Sequence, residues 1–310
     1  MVSKGTGAYT GADVMKKAIA AQDVIYQAST LLSIAQSCGI PEKMTNETKI
    51  LEDATVGVVG EDRVEIDADA SNKRLIYKEL RTDIIWTQYP YEITNKAKLN
   101  ARDLNALMDN NIQSTAEFFK AIKDYRLLTA LVASSGATSG ATAVWGTASA
   151  DPEDDVLTAL SAIMGSSNIQ AGERLTLIVP AAVYYEINKL TLINNIQRTV
   201  GDYLRKSFNI DIVPYRPAQE DGSAVYDALT TSALLFVQGK RTATMYTFDP
   251  AEAASRNIPL VEQEKVFGRG DRFLQKIGTA CLPKWDGMGT YTSSTDFTNY
   301  RIYTLTGVSS

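Results

Sequence analysis

Between residues 85 and 133 the hydrophobic pattern changes period. Ile85, Thr87, Tyr89, Tyr91 and Ile93 alternate, which places them on one face of a strand. Pro90 has no amide proton to give a ladder, so this strand lies at a sheet edge or carries a bulge. The spacing then shifts to three and four. Leu104, Leu107, Met108, Ile112, Ala116, Phe119, Ile122, Leu127, Leu128 and Leu131 form one helical stripe. Asn100 suits the N-cap, Asp103 suits the first turn, and Gly136 stops the run. Asp109, Asn110, Glu117, Lys120 and Lys123 fall largely off the stripe. Some 30 residues at about 1.5 Å each make a rod of about 45 Å, long against the usual three turns.

The flanking segments have other rhythms. Residues 12–37 predict one helix with a small apolar stripe (Val14, Ala18, Ala21, Ile25, Ala28, Leu32, Ala35), ended by Gly39-Ile40-Pro41. So small a stripe needs a neighbour. Residues 46–82 are charged and loosely alternating, with turns at Gly60-Glu61-Asp62 and Ala70-Ser71-Asn72, and predict one or two exposed hairpins. A lone hairpin is marginal, so it rests on something else. Residues 134–152 predict a small-residue loop and a domain boundary. Beyond it comes an α/β block. A helix opens at Asp151-Pro152, LTLIVP at 175–180 is a buried strand, and Pro180 starts the next helix. A further helix at 194–207 and strands at 210–213, 233–238 and 243–248 follow. PLVEQEKVF and RFLQKIGTACL read as two strands joined by Gly268-Arg269-Gly270 that extend the sheet begun at 84–93. The tail holds one alternating strand, Tyr300, Ile302 and Thr304 against Arg301, Tyr303 and Leu305.

Composition narrows the chemistry. The chain has 310 residues and a net charge of −5, which argues against a tight grip on nucleic acid. No apolar run reaches the roughly 20 residues that span a bilayer, and the N-terminus lacks a signal-peptide core. There is no histidine, which removes the commonest general base and metal ligand. Cys38 and Cys281 lie far apart and are expected to be buried free thiols in a reducing compartment. Asp62, Glu65, Asp67 and Asp69 mimic a calcium loop, but Asn72 replaces its glycine and Lys78 its bidentate glutamate, so a solvated acidic arm is expected. Arg269-Gly270-Asp271 is expected as hairpin-turn chemistry, and Glu117 with Asp124 as a solvated helix face. No phosphate-binding loop, dinucleotide fingerprint or nucleophile elbow occurs. No catalytic, cofactor-binding or metal-binding residue is assigned.

The order of elements resembles that of the major capsid proteins of tailed viruses, with the Hong Kong ninety-seven phage fold. The resemblance rests on Tyr91, Glu92, Ile93, Thr94, Ala97 and Leu99 before the long helix, on Asp124 with the leucines that follow it, and on LTLIVPAAVYYEINKL. It implies an α+β fold in five segments: an N-terminal arm at 1–45, an extended loop at 46–82 lying across a neighbouring subunit, a peripheral domain with its spine helix at 83–150, an axial α/β domain at 151–254, and return strands with a C-terminal strand at 255–310. It also implies a non-enzymatic subunit that self-assembles into pentamers and hexamers of an icosahedral shell. That shell would enclose double-stranded DNA, with scaffolding, portal and decoration proteins as partners and no membrane. The implied setting is a virion capsid assembled in the cytoplasm of a bacterial or archaeal host. With about 45 residues before the charged loop, scaffolding is expected as a separate protein or not at all. The Lys–Asn crosslink of some members does not carry over to Lys73 and Asn72. Two other readings stay open: an encapsulin-type nanocompartment shell, and a soluble α/β enzyme or binding domain.

Overall fold

The computed structural model describes residues 9–31, 33–38, 42–46, 48–55, 76–100, 103–166, 169, 172–193, 196–220, 223–266, 269–286 and 289–310. In chain order the elements are α1 (Gly11–Ala20), α2 (Gln22–Leu31), a 3-10 turn (Ile34–Cys38), β1 (Glu42–Met44), β2 (Thr48–Thr55), β3 (Ile76–Asp83), β4 (Ile85–Thr94), α3 (Asn95–Asn100) and α4 (Leu104–Ala133). Then come β5 (Ser135–Gly140), α5 (Pro152–Ser166), β6 (Leu175–Pro180), α6 (Ala181–Ile187), β7 (Leu190–Ile193), β8 (Ile196–Thr199), α7 (Val200–Phe208), β9 (Ile210–Tyr215), β10 (Ala218–Glu220), β11 (Ser223–Tyr226) and β12 (Ser232–Val237). The chain closes with β13 (Ala243–Phe248), α8 (Pro250–Ser255), β14 (Val261–Val266), β15 (Gly270–Pro283), β16 (Tyr291–Ser293), β17 (Asp296–Phe297) and β18 (Asn299–Thr306).

Two five-stranded sheets carry the architecture. In the first, β15 runs down the middle. β4 lies along one side of it, β14 and β13 share the other, and β1 adds in parallel to β13. The expected extension of the 84–93 strand is therefore present, and Pro90 sits in β4, which among the described residues pairs with β15 and no other strand. Gly270 makes the close approach possible: a methyl group there would lie 2.2 Å from the Ile93 carbonyl oxygen. The second sheet has the order β5-β18-β12-β6-β9, parallel except for β12. Sheet membership crosses the segments drawn from sequence. The strand 243–248 joins the first sheet, and the tail strand lies inside the second.

The 30-residue helix α4 links the two sheets. Its last turns place Leu127, Leu128 and Leu131 against Ile178, Leu234, Phe236 and Ile302 of the second sheet and Ala243 and Met245 of β13. The opposite face of the second sheet buries Leu177, Val179, Leu235 and Leu305 under α5 and α7. Earlier in α4, Met108 packs with Val14, Ala18, Tyr91 and Phe273. Ala116 and Phe119 pack with Ala21, Ile25, Tyr26 and Ile277. Each such large side chain contributes roughly 1.5–3 kcal/mol when fully buried.

Several expectations need correction. α4 begins at Leu104, and Asn100 ends the short helix α3 instead of capping it. Lys123 and Asp124, expected off the stripe and on a solvated face, are buried, while Glu117 is exposed. The 12–37 helix is divided at Ala21 and gives way to a 3-10 turn at Ile34. The Ser29 and Thr30 hydroxyls each bond the Tyr26 carbonyl and the Ser33 hydroxyl bonds the Thr30 carbonyl, while the Asp124 carboxylate takes the Ile34 N–H. The 134–152 loop contains β5, where Gly136 lets the backbone approach Asn299 and Tyr300. The 194–207 helix starts only at Val200, because Thr199 caps it by accepting from Asp202 N at 3.0 Å, and β8 precedes it. Pro180 is the N-cap of α6, not its first helical residue. The tail strand is buried on both faces, and Arg301 bonds Glu173 at 2.7 Å. Cys281 is half-buried.

Candidate assembly surfaces

β2 and β3 form an antiparallel arm of eight residue pairs, from Thr48–Asp83 at its root to Thr55–Ile76. At about 3.3 Å per residue this reaches about 25 Å from the root. Residues 56–75, with the calcium-like cluster and the Lys73–Asn72 pair, lie outside the described residues. The root is clamped from two directions. On one side Thr82 Oγ1 donates to the Cys281 carbonyl at 3.0 Å. On the other, the β16–β17 hairpin receives the Arg81 N–H on Ser294 O at 2.9 Å and returns the Tyr291 hydroxyl to Glu79 O at 2.7 Å. Between them Leu80 is buried among Met44, Tyr246, Ala280, Leu282 and Phe297. Lys78 lies over the Tyr291 ring at 4.6 Å.

The second surface is the seat of α1 and α2. Thr10 and Asp13 form a reciprocal capping box at the start of α1, which holds the Asp13 carboxyl below its ordinary value. Gly11 packs against Gln263 and Asp271. Burial acts to raise the Asp271 carboxyl, but hydrogen bonds from Lys98 and Gln263 outweigh it, so its pKa is lowered. Asp271 is thus an internal ion-pair partner of Lys98; of the 269–271 tripeptide only Arg269 lies in the β14–β15 turn, its N–H bonding Val266 O at 3.1 Å, while Gly270 and Asp271 open β15. The outer face of the arm leaves Ile19 56% and Val24 59% exposed, beside a groove of about 530 Å³ that runs to Pro259 and Leu260. Ile85, Leu99, Met164 and Tyr185 are the other exposed large apolar residues among those described.

Under α2 sits a buried amine. Lys123 Nζ donates to Ser29 Oγ at 2.9 Å and Thr30 Oγ1 at 2.7 Å, and lies 5.4 Å from the Tyr26 ring centre. Burial pulls its pKa down to about 7, against the opposing pull of Asp124. The sequence carried a signal for it, since Lys123 falls midway between Phe119 and Leu127 at four-residue steps. Nearby, Arg126 reaches Ile85 O at 2.6 Å and Thr87 Oγ1 at 2.5 Å and also bonds Thr279, tying α4 to β4 and β15. Burial lowers its pKa to about 10. Both residues lie at packed interfaces. Among the described residues no group of three or more Asp, Glu or Cys side chains has metal-site geometry, and no helix is long and apolar enough to cross a membrane.

No family model matches the chain, and no curated protein does. Solved structures do. A virus-like particle from Pyrococcus furiosus aligns with a TM-score of 0.55 at 12% identity, over 94% of this chain and 98% of that one. The capsid of Myoviridae phage XM1 aligns at 0.52 and 15% identity, over 91% and 90%. The capsid of the native GTA particle aligns at 0.55 and 9% identity, over 90% of each chain. The fold is the α+β fold of tailed-phage capsid proteins, as the sequence resemblance implied.

Proposed function

We propose that this chain is a structural subunit that self-assembles into a capsid shell, and that it does not act as an enzyme. The observation that carries the reading is the root-clamped β2–β3 arm on a shell-protein fold. Among the described residues the eight strand pairs are held at the root, and a surface on a neighbouring copy offers the rest of the arm burial and order. Heterologous contacts of this kind close into rings when the rotation closes. In this reading the rings are pentamers and hexamers of an icosahedral virion capsid, assembled in the host cytoplasm around double-stranded DNA. The segments are the arm at 1–45, the extended loop at 46–82, the peripheral domain at 83–150 with return strands from 255–310, and the axial domain at 151–254. A net charge of −5 suits DNA that is enclosed without being gripped. Scaffolding, portal and decoration proteins are the partners the reading calls for.

The alignment with the Pyrococcus virus-like particle also favours a second reading, an encapsulin-type shell around protein cargo. Negative-stain microscopy with light scattering on the protein expressed alone tests both. Closed shells, or rings of five and six, are expected; nucleic acid inside them supports the virion and protein inside them the encapsulin. A particle that stays at 33.8 kDa when concentrated, with or without a scaffolding partner, overturns both readings.

A further inference from the structure

We propose that Lys123 is a proton-controlled latch. As a neutral amine it seats the α1–α2 arm on α4, and taking up a proton favours release of α2. The geometry sets this. Lys123 is wholly buried, and the groups around its amine that fix its position come from α2. The Ser29 and Thr30 hydroxyls already donate their protons to the Tyr26 carbonyl, each at 2.9 Å. They therefore offer lone pairs to the amine. A neutral amine has two N–H donors, and these two acceptors use both. An ammonium has a third, for which the two α2 hydroxyls hold no further acceptor. Thr30 and Tyr26, which flank the amine, also line a surface groove of about 340 Å³.

The surrounding titratable groups leave the response to Lys123. Asp124, on its own helix, is engaged by the Ile34 N–H at 2.6 Å. Tyr26, on α2, donates its hydroxyl to Phe248 O, and burial with the nearby Asp249 charge keeps it protonated through the neutral range. Arg126 is turned to β4 and β15. Burial of Lys123 costs its charged form, hence a seated value near 7 against 10.5 in water. The sign follows from linkage. Between these values the seated arm binds fewer protons than the released one, so seating strengthens as pH rises. As pH falls toward 7 the seated-to-released ratio drops up to about tenfold per unit, and below that value Lys123 contributes no further change.

The test is hydrogen–deuterium exchange of the full-length protein, followed at residues 22–31 between pH 6.5 and 8.5 and corrected for intrinsic rates. Opening is expected to rise steeply from pH 8.5 to 7.5 and to level off below 7. Lys123→Met keeps the length without the charge and is expected to abolish the slope. A flat profile in the wild-type protein, or an unchanged slope in Lys123→Met, overturns the latch. Should that variant not fold, the ¹³Cε shift of Lys123 in the wild-type decides: a midpoint near 7 supports the latch, and one near 10.5 overturns it. The readout is the arm, not the shell, so this result stands apart from whether the chain assembles.

Discussion

Toward its C-terminal end α4 sets Leu127, Leu128 and Leu131 into a core of aliphatic and aromatic side chains between the two sheets. One turn earlier the same helix meets the arm with a buried amine, and the sheet face beneath the arm carries Tyr91 and Gln275, whose buried polar atoms lack a hydrogen-bond partner among the described residues. Both interfaces are buried, but the second carries polar atoms that packing alone does not satisfy. Burying an amine or an unpaired amide carries a desolvation cost that aliphatic packing does not. The first interface behaves as fixed core. The second is a seat, held closely enough to order the arm and polar enough to be opened.

The largest expected effect breaks the core side of this contrast. Phe236→Ala should destabilise the whole molecule by about 3–5 kcal/mol, because the cavity lies where both sheets and α4 meet. Denaturant melts followed at several probes should shift together. On the seat side, Asp271→Asn removes the charge facing Lys98 and should cost about 1.5–3 kcal/mol. Hydrogen exchange should place that loss mainly in α1, α3 and β14; uniform loss across the second sheet would erase the distinction drawn here. Thr10→Ala should cost about 1 kcal/mol of α1 capping, read as faster exchange at residues 11–14 with the second sheet unchanged. The Asp13 half of that cap has a lowered pKa, so its support is present above about pH 4 and lost as pH falls through its folded value. Acid titration of the exchange rate at α1 should show that sign, and Asp13→Asn should remove it. Smallest of all, Tyr291→Phe deletes one bond to the arm root and should cost about 0.5–1 kcal/mol. Its signature is faster exchange at residues 78–82, with global stability nearly unchanged.

Much of the first sheet was legible in the sequence. Alternation from Ile85 to Ile93, the proline at 90 and the paired strands at 261–266 and 270–283 all follow from local pattern and turn chemistry. The long helix was legible too, because its stripe persists through 30 residues without glycine or proline. The misreadings share a cause. Lys123 and Asp124 are polar residues whose burial depends on partners far away in sequence: Ser29 and Ile34. β5 looks like a loop because small residues carry no periodic signal, and it becomes a strand only because β18 lies alongside it.

The sequence alone therefore determined the elements, the rigid rod and the absence of histidine chemistry, since these depend on residue type and on neighbours three or four positions away. The tertiary structure decided the rest: which sheet each strand joins, how the root of the β2–β3 arm is clamped, and that an amine at position 123 is buried under α2. These depend on contacts across tens to hundreds of residues, and a side chain's solvation is fixed only once its distant partners are in place.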